Sequence, residues 1–229
     1  QMQGQVLIRG GRMIERMNKP IEFIAHVRET DRQARQSLES HLRGVGWLSE
    51  QFADKLGLPK HGKAIGLLHD LGKYSIDFQH YILSATGLLN QDEDEGYVDA
   101  KGLKGKIDHS TSGAQLVWSA LSAHGQKGHF AGQVLALCIA SHHSGLIDCL
   151  SLSDKTAALD NFSKRMNKAD SATHLAESIG NACPQLMQEA QALLSDTGLI
   201  DDLWNWRNRL AANAPGATAH AKVNSPALH

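Results

Sequence analysis

Apolar residues recur at helical spacing along most of this chain. One series starts after Ser37 and runs at steps of three and four residues until Gly57 and Pro59, two residue types that end helices. Its members are Leu38, Leu42, Val45, Leu48, Phe52 and Leu56. Aromatic residues make up only 5% of the chain and β-branched runs are short, which favours helix over sheet. We therefore expect an all-α protein built as a helical bundle.

The same periodicity predicts further helices. We expect one through Phe78, Tyr81 and Ile82, and others at residues 60–72, 109–123, 130–143, 153–169, 172–195 and 199–212. Asp108 stands where its carboxylate can cap the helix that begins at His109. The acidic stretch at 88–106 is predicted to be a polar loop, and we interpret its charge as solvated rather than catalytic.

The length of the chain, 229 residues, fits one domain of generous size. We expect a leader or expression-derived segment at 1–19, the domain itself at 20–212, and a disordered tail or linker at 213–229. No run approaches the roughly 20 apolar residues of a membrane span. Three cysteines at unrelated spacings indicate neither a disulfide framework nor a structural zinc site. These features predict a soluble, cytoplasmic protein.

Charge excludes one way of binding nucleic acid. The formal net charge is −1, with 23 basic and 24 acidic residues. Proteins held to nucleic acid by bulk charge are strongly basic. Any nucleic acid must therefore bind at a local site.

Histidine is the residue type used most unusually. The chain has 13 histidines against five Phe, three Tyr and four Trp. Five histidines and one aspartate lie on or at the ends of predicted core helices: His41, His69, Asp70, His109, His142 and His143. A single histidine on an apolar face is more often a hydrogen-bonded core residue. Together, however, buried imidazoles and a carboxylate need partners, and both are ligands of divalent transition metals. A shared metal centre in the bundle core accounts for the set, and we treat the other eight histidines as background, with His26 as the first exception to consider.

The order of these residues, H…HD…H…HH, resembles the HD phosphohydrolase superfamily. The segments that carry it are Ser40-His41-Leu42, residues 66–73 around His69-Asp70, Asp108-His109-Ser110, and Ser141-His142-His143-Ser144. The sequence is most similar to the nuclease domain of the CRISPR-associated type I interference nuclease-helicase. In that domain a His-Asp-Leu-Gly-Lys segment precedes Phe-Gln-x-Tyr, here residues 78–81. The resemblance covers about residues 21–150 and implies an HD-domain helical bundle.

The resemblance also implies one or two divalent metal ions. The two implied ligand sets, which share Asp70 as a bridge, are His41, His69 and Asp70, and His109, His142 and His143. Catalytic roles would fall to Asp70, His69 and Lys73, whose ammonium would contact a phosphate oxygen unless it is merely a solvated charge. Ser110 and Ser144 would contact phosphate or, as the commoner alternative, cap helices. The His-rich set suits manganese, nickel, cobalt, iron or zinc better than magnesium, without fixing the metal.

One feature of the family is missing from this sequence. Family members supply a further metal-binding aspartate from a late helix, within a stretch that has no counterpart here. The available aspartates lack matching surroundings: Asp160, Asp170, Asp196, Asp201 and Asp202. Two divalent cations would bring four positive charges, and Asp70 returns one negative charge. Either the chain stops before the aspartate, or a carboxylate comes from an unexpected position, or one metal binds weakly. We expect the first, truncation of a longer protein.

The implied activity is metal-dependent endonuclease cleavage of single-stranded DNA during CRISPR interference, a form of antiviral defence. The chain lacks the GxxxxGK[ST] loop of an ATPase, so the helicase part of the same protein would lie outside it. A DNA-bound CRISPR surveillance complex is the other implied partner. Two alternatives are an HD phosphohydrolase acting on nucleotides and a catalytically weak docking domain for that complex. Because imidazole ligands must be neutral, activity should fall as pH drops below about 6.5.

Overall fold

The computed structural model describes residues 22–28, 30, 34–91, 94–103, 107–143, 145–152 and 158–213. Helices dominate these residues, which confirms the expected helical bundle. In chain order the α-helices are α1 (Leu38–Asp54), α2 (Pro59–Leu68), α3 (Ile76–Ala85), α4 (Thr111–Ser122), α5 (Gly125–Ala140), α6 (Asn161–Met166), α7 (Asp170–Thr173), α8 (Leu175–Asn181), α9 (Pro184–Leu194) and α10 (Thr197–Ala212). Two short 3-10 helices span Leu71–Tyr74 and Ala100–Gly102.

Two short antiparallel ribbons, which the sequence did not predict, accompany the helices in the described residues. β1 (Ile24–Val27) pairs with β2 (Arg35–Ser37), with His26 opposite Gln36. β3 (Leu150–Leu152) pairs with β4 (Ala158–Asp160). Strands of three or four residues are too short for their alternation to stand out in a sequence. Since β4 lies inside the helix predicted at 153–169, that prediction is wrong at 158–160.

Helices α1 and α2 pack with their backbones in close contact. Leu38 and Leu42, in the first turns of α1, are fully buried. A Cβ atom on Gly66 of α2 would stand 2.6 Å from the backbone nitrogen of Gly46 in α1. Only the first half of the predicted apolar face is covered, because Phe52 remains 63% exposed. The glycine contact therefore fixes how closely the two helices approach.

Helices α4 and α5 supply the other wall of the core. Val117 and Leu121 of α4 are fully buried, as is Ile139 of α5, and Leu135 is 1% exposed. Gly113 of α4 faces Leu68 at the end of α2, where an added Cβ would overlap the Leu68 carbonyl oxygen. The core thus joins the two helix pairs.

Several helix ends differ from prediction. The helix predicted at 60–72 ends at Leu68, and the one predicted at 130–143 spans Gly125–Ala140 and stops short of His142. The helix predicted at 172–195 is divided into α7, α8 and α9. One break falls at His174, whose φ of 53° is left-handed, and the other precedes Pro184, which opens α9.

The remaining boundaries agree better with expectation. Helix α10 matches the predicted helix at 199–212, and residues 88–91, 94–99 and 103 are irregular, as a polar loop requires. The predicted leader at 1–19 and all but the first residue of the predicted tail at 213–229 lie outside the described residues. Within the described ranges, no helix combines the length and apolar character needed to cross a membrane.

The contact between α1 and α2 can be tested with a pair of glycine substitutions. Gly66→Ala should lower the free energy of unfolding by about 1 to 3 kcal/mol, because its Cβ would collide with backbone rather than a movable side chain. Gly44→Ala, also in α1, has open space among the described residues and should be neutral or stabilise by about 0.5 to 1 kcal/mol. Urea denaturation followed by circular dichroism measures both. Equal effects of the two substitutions would contradict the packing described here.

Candidate metal centre

The six site residues predicted from the sequence come together at one place in the bundle. His41 lies in the first turns of α1, and His69 and Asp70 directly follow α2. His109 precedes α4, whereas His142 and His143 occupy the turn after α5. Residues at or just beyond helix ends can converge from different directions while the helices hold their positions. The bundle therefore delivers ligands from four elements to one point.

Asp70 is the centre of this cluster and is only 2% exposed. Its Oδ2 atom lies 3.1 Å from His41 Nε2 and 3.1 Å from His69 Nε2. Its Oδ1 atom lies 3.2 Å from His142 Nε2 and 3.7 Å from His109 Nε2. Each carboxylate oxygen thus faces its own pair of imidazoles. The two pairs fall within the two ligand sets that the family resemblance implies.

His143 completes the second set through its neighbours. Its ring centroid lies 3.9 Å from that of His142 and 4.9 Å from that of His109. One ligand atom from each of Asp70, His109, His142 and His143 falls within 4.8 Å of the others. This spacing is small enough for one ion to be held by all four.

Backbone carbonyls orient three of the histidines. Nδ1 of His69 donates to the Gly66 carbonyl at 2.8 Å, and Nδ1 of His142 donates to the Ile139 carbonyl at 2.7 Å. Nδ1 of His109 donates to the carbonyl of Ile107 at 3.2 Å. When a metal is bound, hydrogen bonds of this kind fix the tautomer and leave the Nε2 lone pair for the metal. All three of these Nε2 atoms face Asp70.

The donor set fits a divalent metal on two counts. First, Nε2 of His109 is buried and has no hydrogen-bond partner among the described residues, which is unfavourable unless a cation fills that role. Second, His41 Nε2, His69 Nε2 and Asp70 Oδ2 form a triangle with sides of 3.1 Å. For metal bonds of about 2.0 to 2.1 Å, neighbouring ligand atoms stand roughly 2.9 Å apart in an octahedron and roughly 3.3 Å apart in a tetrahedron.

His26, the first exception considered among the background histidines, also lies at this centre. A ligand atom of His26 lies within 4.8 Å of those of His41 and Asp70. Its ring packs edge-on against that of His41 at a centroid distance of 4.8 Å. The sequence offered little signal for this position, because His26 reaches the site from the short strand β1 rather than from a periodic helix.

Lys73 is buried beside the cluster. It is 4% exposed, and its Nζ lies 2.8 Å from Asp70 Oδ2 and 5.5 Å from the centre of the Phe78 ring. The alternative of a solvated surface charge therefore does not describe its position. Contact between Lys73 and a phosphate stays a prediction.

Side chains outside the metal centre stabilise the start of α4, next to His109. Asp108 accepts a hydrogen bond from the Thr111 amide at 3.0 Å, as predicted for a cap, and Lys168 Nζ lies 2.6 Å from its other oxygen. Arg165 donates to the Ser110 hydroxyl at 2.7 Å, and the Ser110 side chain makes no capping hydrogen bond, so its predicted capping role is wrong. Ser144 lies outside the described residues.

Another backbone contact links the segments that carry His69-Asp70 and His109. The Gly72 amide donates to the His109 carbonyl at 3.1 Å. A Cβ on Gly72 would stand 2.5 Å from that same oxygen, so only glycine allows this approach. This close approach explains why glycine is needed at this position of the His-Asp-Leu-Gly-Lys segment.

Electrostatics keep Asp70 ionised and several histidines neutral. Burial alone would raise the pKa of Asp70, but hydrogen bonds from His142, His41 and His69 outweigh it and hold the pKa well below its usual range. Burial lowers the pKa of His109 to about 4. Burial, assisted by the neighbouring His142, also lowers the pKa of His143. Both imidazoles are consequently neutral near pH 7, as metal ligands must be.

Asp70 is the only carboxylate in the metal-binding groups of the described chain. The late aspartates considered from the sequence are engaged elsewhere. Asp160 caps α6, Asp196 pairs with Lys60, and Asp201 pairs with Lys127. The other two do not join the cluster: Asp170 accepts from the Ala176 amide, and Asp202 is exposed on α10. No described carboxylate therefore replaces the missing family aspartate.

A helical bundle whose core gathers histidines around a His-Asp pair defines the class of HD-domain proteins. A family model described as Cas3, HD domain, matches residues 15–219, so the chain belongs to that family. It is thus an HD nuclease domain of CRISPR interference, with DNA as the substrate and a Cas3 helicase as partner. The resemblance found in the sequence is confirmed. No curated protein and no solved structure matches the chain.

The lowered pKa of His109 predicts how the metal-stripped protein responds to acid. Between about pH 6.5 and about pH 4 the unfolded chain binds a proton at this position and the folded chain does not. The free energy of unfolding should therefore fall by up to roughly 3 kcal/mol as pH drops across this range. Urea denaturation at several pH values measures the slope. His109→Gln removes the titrating group, so its slope should be shallower; identical slopes would contradict this pKa.

Proposed function

We propose that this domain is a metal-dependent nuclease that hydrolyses phosphodiester bonds of single-stranded DNA during CRISPR interference. The observation that carries the proposal is one buried carboxylate, Asp70, between two groups of imidazole nitrogens. The unpartnered Nε2 of His109 supports a cation at this position. A metal-dependent hydrolase matches both this donor set and the family.

Two ligand groups follow from the geometry. His41 and His69, with His26 beside them, would hold an ion on the Oδ2 side of Asp70, whereas His109, His142 and His143 would hold one on the Oδ1 side. When bound, divalent metal supplies hydroxide near neutral pH and stabilises the leaving oxygen. Nitrogen-rich ligands favour manganese, iron, cobalt, nickel or zinc over magnesium.

Lys73 is proposed to act on the substrate rather than on the metal. Its ammonium lies against Asp70 and at the edge of the cluster. With metal bound at Asp70, the Lys73 ammonium would be available to a nonbridging phosphate oxygen, because a buried charge needs a partner. Lys73 would therefore position the scissile phosphate and offset its charge.

The domain would obtain its substrate from its partners. Its net charge of −1 provides little general attraction for DNA. We propose that the helicase part of the parent protein, recruited by a DNA-bound surveillance complex, delivers one strand to the site in the cytoplasm. The nuclease domain itself is proposed to extend over 20–212.

The first test is metal add-back with a ligand variant. Metal-stripped protein should cut labelled single-stranded DNA after addition of manganese or nickel, and double-stranded DNA much less. Loss of outer-shell partners of a metal costs about 10- to 100-fold, so Asp70→Asn should lower cleavage by more than about 100-fold. Asp202→Asn, an exposed aspartate on α10, is the matched control and should leave cleavage unchanged. Turnover of deoxynucleoside triphosphates without strand cleavage would instead support a nucleotide hydrolase.

A second test separates Lys73 from the metal ligands. Lys73→Met keeps a similar length without the charge, so cleavage should fall by about 100-fold, as expected for one lost group that stabilises charge in the transition state. Metal affinity, measured by titration calorimetry, should stay the same or rise, because a competing cation beside Asp70 has been removed. A large loss of metal affinity would show that Lys73 supports the metal centre instead.

A further inference from the structure

A cavity of about 230 Å³ adjoins the metal centre. Much of the lining of this cavity is apolar and comes from β1, from α3 and from two residues that lie between α3 and His109 in the sequence. The apolar lining residues are Ala25, Phe78, Tyr81, Ile82, Leu103 and Ile107. The described hydrogen bonds of the metal centre do not involve these side chains. The cavity is therefore a separate feature that the chemistry of the ligands leaves unexplained.

The rest of the cavity wall is formed by the metal centre itself. Its contributors are Lys73, His26, His109 and His143. A phosphate held by the metal centre and by Lys73 would thus stand where the polar and apolar parts of the wall meet. Whatever is bonded to that phosphate would lie within reach of the apolar part.

Phe78 and Tyr81, the two aromatic residues of the cavity, differ in how tightly their side chains are packed. Phe78 is 5% exposed and is packed against the His109 ring at 4.9 Å and the Tyr81 ring at 5.9 Å. Phe78 therefore forms a rigid part of the cavity wall. Tyr81 is only partly buried, so it can present ring surface to a ligand.

We infer that this cavity binds one unstacked nucleobase of single-stranded DNA, next to the scissile phosphate. The inference rests on the nuclease function proposed above and adds a base-binding site to it. Pockets that enclose drug-sized ligands measure roughly 300 to 1,000 Å³, so this smaller cavity suits a single ring system. An apolar cavity with an aromatic wall accepts the flat face of any base without reading its edges.

Base binding at this position explains a preference for single strands. A base in a duplex is stacked and paired, and it must be extruded before it can enter a pocket. A base in a single strand needs little such rearrangement. The cavity therefore distinguishes single-stranded from double-stranded DNA by binding the base, while the metal centre binds the phosphate.

The test compares two strands that differ only in their bases. Fluorescence anisotropy, recorded with manganese at low temperature before cleavage is detectable, would measure binding of the protein to a labelled oligothymidylate and to an abasic strand of the same length with the same phosphates. The wild type should bind the base-bearing strand about 10-fold more tightly, in the range expected for stacking of one base. Tyr81→Ala should bring this ratio close to one, and Tyr81→Phe should preserve it.

Phe52→Ala serves as the matched control, because Phe52 is an exposed aromatic residue on α1 that does not line the cavity. This variant should keep the wild-type ratio. Urea denaturation of Tyr81→Ala checks that the variant is folded, and Tyr81→Leu, which retains apolar volume, should give an intermediate ratio if Tyr81→Ala is unstable.

Three results would overturn the inference: equal binding of the two strands, a ratio that survives loss of the Tyr81 ring, or no binding of either strand. Failure of the proposed nuclease activity would look different. In that case the binding ratio would still depend on Tyr81, but no added metal would produce cleavage of the oligothymidylate.

Discussion

The buried carboxylate of Asp70 is the interaction on which the rest of this site depends. An ionised carboxylate that is 2% exposed is unfavourable unless several groups compensate its charge. Imidazole nitrogens of His41, His69 and His142 lie 3.1 to 3.2 Å from it, and Lys73 lies at 2.8 Å. These groups stabilise the negative charge in the metal-free protein. The same arrangement is what a divalent cation requires of its ligands.

Close contacts between helices of the bundle bring the ligand-bearing helix ends together at this centre. Gly66 allows α2 to contact α1, which brings His69 and Asp70 to His41. Gly72 allows the segment after α2 to contact the carbonyl of His109, which brings in the second group of ligands. Packing, rather than any single hydrogen bond, therefore sets the distances within the site. Substitutions at these glycines would disturb the chemistry as well as the stability.

The existence of a helix was predictable where apolar residues recur over several turns, as in α1 and α5, but the ends of α5 were not. The prediction failed where the local backbone conformation determines where a helix ends or a strand forms. The left-handed His174 and the strand β4 leave no periodic signal in the sequence. For the site, the residue order led to the family, and the structure brings all six predicted residues together. His26 and the cavity beside Tyr81 depend on contacts between segments distant in sequence, which no local pattern records.

We propose that Asp70 is shared by two groups of metal ligands. Anomalous diffraction from crystals grown with manganese, recorded at the manganese absorption edge, tests it directly. We expect anomalous density beside both Asp70 oxygens, one peak near His41 and His69 and the other near His109, His142 and His143. Density only at positions remote from Asp70, in protein that cleaves DNA with manganese, would contradict this arrangement.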